Sequence, residues 1–236
     1  MSQVVSQIPI FITVRGNTKE IAEKNKKCLI FSYLYIKQQN LFDQTYIISD
    51  NEDVLSYAQE LGFINTIYYP CGSNKDLKYL EYLATYRYGV ENNYHPDWII
   101  LLNVNQLFKA PNLISKCITY INDRYDVVAS YTTISNRSHF FVETMEVKNE
   151  KTHLLSSEHQ RVNMIDAAIY AIKTEFAFSC MEYDDPSAHF WSGKIKYFEN
   201  DSVYTDIYTT KDIDKYATVY DILDKLKDMQ NNKRKN

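Results

Sequence analysis

The chain has 236 residues, a formal net charge of -4 and four widely spaced cysteines without a CxxC pattern. This length fits one large domain with a buried core, and the negative charge argues against a protein that coats nucleic acid. No apolar run could span a membrane, the N-terminus MSQVVSQ lacks the features of a signal peptide, and the cysteines indicate reduced thiols. We therefore expect a cytoplasmic protein without a zinc site.

Strand-like and helix-like segments alternate through about residue 133. The predicted strands are Ile8–Val14, Thr45–Ile48, Phe63–Tyr69, Trp98–Leu102 and Tyr125–Tyr131. The predicted helices are Leu29–Gln39, a helix capped at Asp50 or Asn51 that ends before Gly62, Lys75–Glu91 and Pro111–Asp123. This alternation predicts a three-layer α/β fold with a mainly parallel sheet.

The pattern is weaker in the second half of the chain. Residues 134–163 are polar and aperiodic, which indicates an excursion such as a hairpin or dimerisation arm. Alternation resumes with the segments DAAIYAI (Asp166–Ile172), KIKYF and SVYTDIY, and a final amphipathic helix is predicted from Lys211 to Met229. We expect one domain over residues 1–230 and a polar tail over 231–236.

Binding sites in such folds lie beyond the carboxyl ends of the parallel strands. That rule selects the loops 15–25, 49–52 and 103–109. The first loop contains three cations, Arg15, Lys19 and Lys24, together with Gly16, where the backbone can approach a ligand closely. Two interpretations are open on composition alone: a site for a triphosphate, or a solvated loop that happens to carry several charges. GxGxxG and GxxxxGK[ST] motifs are absent from the sequence.

The spacing of these residues resembles a known signature. The stretch RGNTKEIAEKN is similar to the R-x-x-S-K-x-[ILV]-x-x-K-N motif of the acylneuraminate (CMP-sialic acid) cytidylyltransferases, with Thr18 where Ser is usual. In the same order, LFDQTYIISDNEDVLSYAQELG, DWIILLN, DAAIYAI and SVYTDIYTTKDI resemble further motifs of that family; DAAIY stands where the family has N-G-A-I-Y. Together these segments span about residues 8 to 220.

The resemblance implies a nucleotide-diphosphosugar-transferase-like, Rossmann-like fold and a homodimer whose less regular segment reaches the partner. It implies that a sugar hydroxyl attacks the α-phosphate of CTP, with Mg²⁺ neutralising charge. Arg15, Lys19 and Lys24 would be catalytic, and Asp206 would lie near the metal. Asp166, Tyr170 and His159 would contact the sugar. The nucleotide-binding set, partly from loop composition, is Arg15, Gly16, Asn17, Thr18, Lys19, Lys24, Asn25 and Asn103.

The sequence departs from the family pattern at positions that the family uses to bind nucleotide, sugar and metal. The segment NVNQLFK (Asn103–Lys109) stands where the family has the turn P-T-S-P-L-R. Tyr69–Pro70 stands where the family has R-P, and Tyr208 stands where it has the second metal-binding carboxylate. Glu20 replaces a glycine. Three hypotheses remain. The chain is a divergent enzyme that transfers CMP from CTP to an acidic or modified sugar, a non-catalytic homologue that binds nucleotide or sugar or partners an active enzyme, or a sugar-nucleotide-dependent glycosyltransferase.

Overall fold

The computed structural model describes residues 8–69, 87–89, 96–135, 161–182, 186–205, 207, 209–214 and 216. Its strands are β1 (Ile10–Thr13), β2 (Thr45–Ser49), β3 (Asn65–Tyr68), β4 (Trp98–Asn103), β5 (Val127–Ser135), β6 (Arg161–Lys173) and β7 (Ile195–Glu199). Its helices are α1 (Lys19–Gln39), α2 (Glu52–Leu61), α3 (Leu113–Thr119), α4 (Thr174–Met181), α5 (Pro186–Ser192) and α6 (Thr210–Asp214), with a 3-10 helix at Phe42–Gln44.

The described strands form one sheet in the order β3-β2-β1-β4-β6-β5-β7. Strands β1, β2, β3 and β4 are parallel to one another, β6 is antiparallel to both β4 and β5, and β7 is parallel to β5. The carboxyl ends of β1, β2, β3, β4, β5 and β7 therefore lie at one edge of the sheet. This arrangement confirms the predicted α/β fold with a mainly parallel sheet.

Hydrophobic residues cover both faces of the sheet. Along β1, Ile10 and Ile12 join one core, and Phe11 between them joins the other, because successive side chains of a strand point to opposite faces. The first core includes residues from α1, α2, α3 and α6. The second includes residues from α4 and α5. Burial on both faces explains why β1 and β4 read as continuous apolar runs.

The helix after β1 begins earlier than predicted. We expected a loop through residue 25 and a helix from Leu29, but α1 starts at Lys19. Thr18 has an extended backbone, and its side-chain oxygen accepts a hydrogen bond from the Ile21 amide at 3.2 Å, which satisfies one donor of the first turn. Lys19 and Lys24 thus lie on a helix, and only residues 14–18 form the loop.

The other predicted segments agree with the structure in part. Asn51 caps α2 and Gly62 ends it in the left-handed conformation, as predicted. The segment SVYTDIY, where we expected the alternation to resume, is irregular over its described residues, and Thr205 there makes hydrogen bonds to the segment after β4. The predicted helix Lys75–Glu91, except residues 87–89, and most of the 134–163 arm lie outside the described residues. No helix within the described ranges is long and apolar enough to cross a membrane.

Candidate functional site

Two loops at the carboxyl edge of the sheet are joined at Gly16. The Gly16 amide donates to Asp50 Oδ1 at 2.7 Å, and Asn51 Nδ2 donates to the Gly16 carbonyl at 2.8 Å. A Cβ on Gly16 would lie 2.3 Å from the Asn51 Cβ, so no larger residue fits without movement. The loop after β1 and the loop after β2 are therefore fixed against each other, and glycine is required by this close approach rather than by a positive φ.

Asn25 shapes the same loop from α1. Its Nδ2 donates to the Arg15 carbonyl at 2.7 Å, and its side chain is buried. Arg15 itself is half-buried next to Gly16. The sequence assigned Asn25 to nucleotide binding; the structure places it under the loop, where it holds the Arg15 backbone.

The first turn of α1 is open to solvent. Asn17, Thr18 and Lys19 are exposed at the N-terminus of a helix of 21 residues. Unpaired amides and the helix dipole make such a terminus attractive to anions, and Lys19 adds a full positive charge. Glu20, also exposed, subtracts from that potential in the same turn.

Lys24 lies deeper, at the centre of the edge. It is 7% exposed, and its Nζ donates to Asn105 Oδ1 at 3.1 Å and to the Ile207 carbonyl at 3.0 Å. These bonds connect α1 to the turn after β4 and to the segment after β7. The ammonium that the resemblance assigned to the triphosphate therefore already has two acceptors within the protein.

Amide side chains organise the turn after β4. Asn103 Oδ1 accepts from the Asn105 amide at 2.9 Å, so Asn103 shapes the turn through its own side chain. Gln106 Oε1 accepts from the Thr205 amide at 3.0 Å, and Thr205 Oγ1 accepts from the Leu107 amide at 2.7 Å. Thr205 and Ile207 are thereby placed at this edge. Asp206 between them, and Tyr208, lie outside the described residues.

Asp166 is buried rather than open to the edge. Its Oδ1 accepts from Ser130 Oγ and from the Ala168 amide at 3.0 Å, and its Oδ2 accepts from Asn200 Nδ2 at 2.8 Å. A bulge between β5 and β6 accompanies this network, and Ala167 there has a φ of 52°. The carboxylate thus connects β5, β6 and the residue after β7.

Tyr170, another residue predicted to contact a sugar, makes its described contacts away from Asp166. The ring of Tyr170 lies against Phe190 at 5.7 Å and Trp191 at 6.5 Å between centroids, and Phe190 belongs to the core of α4 and α5. This face of the sheet is opposite to α1. His159 lies outside the described residues. The sugar-binding roles of all three residues stay predictions.

A groove of about 600 Å³ opens beside these residues, between the turn after β4 and the carboxyl ends of β5 and β7. It is lined by Phe108, Lys109, Thr132, Thr133, Glu199, Asn200, Asp201, Ser202 and Val203. Burial lowers the pKa of Lys109 from 10.5 to about 8, opposed by its interactions with Cys28 and Asp166. Sequence reasoning noted Lys109 as the retained cation of NVNQLFK without giving it a role.

The described residues provide no group of three or more His, Cys, Asp or Glu side chains that could hold a metal. The Asp166 carboxylate accepts three hydrogen bonds from other protein groups. Asn103 Oδ1 accepts one from the Asn105 amide. At Asp50, Oδ1 accepts from Gly16, while the buried Oδ2 accepts no hydrogen bond within the described ranges. The Mg²⁺ site that the resemblance implies at Asp206 stays a prediction.

No family model and no curated protein matches the sequence. Solved structures do match the fold. The synthetase for CMP-2-keto-3-deoxy-manno-octonic acid, complexed with CTP, aligns with a TM-score of 0.58 and 13% identity over 90% of this chain and 97% of that chain. The 4-diphosphocytidyl-2C-methyl-D-erythritol synthase of Anaerococcus prevotii aligns with a TM-score of 0.56 and 15% identity, over 90% of this chain and 97% of that chain. Bifunctional IspDF of Campylobacter jejuni aligns with a TM-score of 0.55 and 15% identity, over 88% of this chain and 53% of that chain. The chain shares the fold of these nucleotidyltransferases.

Proposed function

We propose that the chain is a divergent cytidylyltransferase-like enzyme that transfers CMP from CTP to an acidic or modified sugar. The observation that carries the proposal is the loop after β1. Gly16 holds it against Asp50 and Asn51, and it leads directly into the exposed first turn of α1 with Lys19. A rigid loop, a helix N-terminus and a cation together suit a phosphate chain.

In the proposed reaction a hydroxyl oxygen of the sugar attacks the α-phosphorus of CTP. The new bond joins that oxygen to phosphorus, the bond from the α-phosphorus to the bridging oxygen breaks, pyrophosphate leaves, and the hydroxyl proton is released to water. Lys19 and Arg15 stabilise the negative charge that shifts onto the pyrophosphate. Lys24 holds the turn after β4 in place beside the phosphates. Mg²⁺, held at Asp206, would neutralise part of the phosphate charge.

The fold supports this proposal, because the matched structures include a synthetase complexed with CTP. An identity of 13% limits that support to the fold. The same proposal includes an acidic sugar as acceptor and a homodimer formed through the 134–163 arm, both of which rest on the sequence motifs. It also includes a cytoplasmic location, which rests on the sequence composition.

Pyrophosphate release tests the proposal. Purified protein is incubated with CTP, Mg²⁺ and a panel of nonulosonic and octulosonic acids, and CTP binding is followed separately by thermal shift. The variant Lys19→Ala should weaken CTP binding about tenfold, since a hydrogen bond to a charged group contributes about 1.5–3 kcal/mol. Arg124→Ala removes another exposed cation, in the turn before β5 at the opposite edge, and should leave CTP binding and pyrophosphate release unchanged. No release across the panel, or equal effects of the two variants, would contradict the proposal.

A second candidate is a non-catalytic homologue that binds nucleotide or sugar, or that partners an active enzyme. The hydrogen bonds of Lys24 to Asn105 and Ile207 favour it, because a cation with acceptors in the protein has less to offer a triphosphate. Stabilisation by CTP without pyrophosphate release would identify this case. The glycosyltransferase hypothesis rests on fold analogy, and a larger thermal shift with UDP- or GDP-sugars than with CTP would favour it.

A further inference from the structure

A pocket of about 460 Å³ opens at the amino edge of the sheet, opposite to the proposed nucleotide site. It lies between the start of β4, the end of β6 and the first turn of α4, which contribute Trp98, Lys173 and Thr174 to its lining. Its volume is within the range of about 300–1,000 Å³ that is usual for small-molecule sites. None of its lining residues belongs to the proposed nucleotide or sugar sites.

Thr174 brings to this pocket a buried hydroxyl without a partner. The residue is 4% exposed, and its Oγ1 makes no hydrogen bond to any described residue. The Thr174 amide donates to the Asp97 carbonyl at 2.9 Å, which fixes the position of the residue. A buried hydroxyl that lacks a partner is unfavourable, so a ligand that pairs with it gains affinity.

Other hydrogen-bond donors beside Thr174 also lack acceptors. Lys173 is half-buried, and its ammonium makes no hydrogen bond or ion pair with any described residue. The indole N–H of Trp98, a residue that is 7% exposed, has no acceptor in the described ranges either. Lys173 precedes α4 without capping it, so the first-turn amides of this eight-residue helix have no side-chain cap. A hydroxyl, an ammonium, an indole and a helix N-terminus together suit an oxyanion.

Carboxylates line the same pocket. Asp97, Asp123 and Glu175 are exposed, and their side chains make no hydrogen bond or ion pair with the described part of the chain. Against these three carboxylates, the described lining offers one ammonium, that of Lys173. The net negative charge disfavours a polyanion such as a phosphate ester, and it favours a ligand that also carries a positive charge.

Apolar surface completes the lining. Pro96, Trp98 and Phe178 contribute rings to the pocket, and Trp98 is paired across the strands with Lys173 of β6. Aromatic and cationic groups are therefore neighbours at the end of two paired strands. This arrangement suits an apolar group that is attached directly to a charged end.

We propose that this pocket binds a free α-amino acid with an apolar side chain. The carboxylate of the amino acid accepts hydrogen bonds from Lys173, from the Thr174 hydroxyl and from the start of α4. Its ammonium pairs with the carboxylates of Asp97 and Asp123, and its side chain packs against the rings of the lining. A zwitterion satisfies charges of both signs, whereas a phosphate or a simple amine satisfies one. The inference goes beyond the proposed function and does not depend on it.

Isothermal titration calorimetry of the full chain with L-leucine, L-methionine and L-phenylalanine tests the inference. Each amino acid is compared with its deaminated acid and its decarboxylated amine, which for leucine are 4-methylpentanoate and 3-methylbutylamine. Wild type should bind at least one amino acid about tenfold more tightly than either of its two analogues, since each analogue loses one set of charged contacts.

Two variants test the assigned residues. Lys173→Met should weaken binding of that amino acid about tenfold, and Thr174→Val, which removes the hydroxyl and keeps the shape, should weaken it several-fold. Lys194→Met is the matched control, because Lys194 is an exposed cation at the same edge that does not line the pocket. Without ligand, Thr174→Val should unfold at a midpoint no lower than that of wild type, since an unpaired buried hydroxyl is removed.

Equal binding of an amino acid and one of its analogues would overturn the inference, as would binding by Lys173→Met or Thr174→Val equal to that of wild type. Failure of all three amino acids to bind wild type would overturn it too. CTP binding, measured in the same proteins, should be unchanged by either variant, because the proposed nucleotide site lies at the other edge. The two sites share no residue, so failure of this inference and failure of the proposed function are distinguishable.

Discussion

Lys24 on α1 donates a hydrogen bond of 3.1 Å to Asn105, which lies 81 residues further along the chain. The same ammonium reaches the Ile207 carbonyl, so one buried cation connects three segments at the carboxyl edge of the sheet. The motif that contains Lys24 suggested phosphate binding, and the structure gives this residue an organising role within the site. Lys19, five residues earlier, is exposed and open to a ligand.

Lys24 and Lys19 should therefore respond differently to substitution. Lys24→Met leaves Asn105 Oδ1 and the Ile207 carbonyl without their donor and should lower the free energy of unfolding by about 2 kcal/mol. Lys19→Met should change it by less than about 0.5 kcal/mol, as is usual for an exposed residue. Urea denaturation of both variants measures this contrast. Equal stabilities would show that the Lys24 hydrogen bonds do not contribute as described.

The contact between Gly16 and Asn51 can be tested by a double-mutant cycle. Gly16→Ala places a methyl group 2.3 Å from the Asn51 Cβ and should cost about 1–3 kcal/mol of stability. Asn51→Gly removes the cap of α2 and the bond to the Gly16 carbonyl. The double variant should lose less than the sum of the two single losses, because the clashing side chain is absent. Additive losses would mean that the loop relaxes elsewhere.

Asp166 should behave as a structural carboxylate. Asp166→Ala leaves the donors Ser130, Asn200 and Ala168 without their acceptor and should lower the free energy of unfolding by about 3 kcal/mol. Asp166→Asn should also destabilise, since its NH₂ group would face a donor. Chemical denaturation gives these values. Weaker sugar binding with unchanged stability would instead indicate direct contact with the ligand.

Ala167 adopts a backbone conformation that favours glycine. Its φ is 52°, and it stands where the cytidylyltransferase pattern N-G-A-I-Y has Gly. Ala167→Gly should raise the free energy of unfolding by about 1 kcal/mol, because a Cβ in the left-handed region costs about 1–2 kcal/mol and the greater entropy of unfolded glycine offsets part of the gain. The matched control Ala168→Gly, at a buried neighbouring position, should destabilise. Thermal and urea unfolding should agree, and a loss of stability in Ala167→Gly would contradict the assignment.

The titration of Lys109 should be visible in the pH dependence of stability. Its pKa is lowered on folding from 10.5 to about 8, so the unfolded chain binds more protons than the native state between these values. The contribution of Lys109 to stability should therefore increase as pH rises from about 8 to 10.5. Raised pKa values of Cys28, to about 11, and Tyr35, to about 12, act in the opposite direction at alkaline pH.

The difference between wild type and Lys109→Met isolates the lysine from these other groups. The unfolding free energy of wild type, relative to the variant, should rise from pH 7.5 to pH 10.5 and then level off. A difference that is flat with pH would show that Lys109 is not desolvated. Cys28 and Asp166 are the charged or titratable groups that act on it, and Glu199 shares its groove.

The sequence by itself was sufficient for the fold class and for much of the strand and helix order in the first half of the chain. Continuous apolar runs identified β1 and β4, and Asn51 and Gly62 marked both ends of α2, because burial on two faces and helix capping leave local signals. The start of α1 at Thr18 also had a local signal, a capping hydroxyl, which the interpretation of 15–25 as one loop overlooked. The rule for parallel strands predicted the loops 15–25, 49–52 and 103–109 at one edge, and the structure shortens the first of them to residues 14–18.

Only the tertiary structure decided what the side chains at that edge do. Whether Lys24 faces a ligand or Asn105 depends on a partner 81 residues away, and whether Asp166 is open or enclosed depends on Ser130 and Asn200. The same applies to Lys109, whose removal from water follows from how β5, β7 and the turn after β4 pack. Hydrogen-bond partners and exclusion of water are properties of the packed chain. The sequence therefore determined which residues gather at the site, and tertiary packing determined which of them remain available to a ligand.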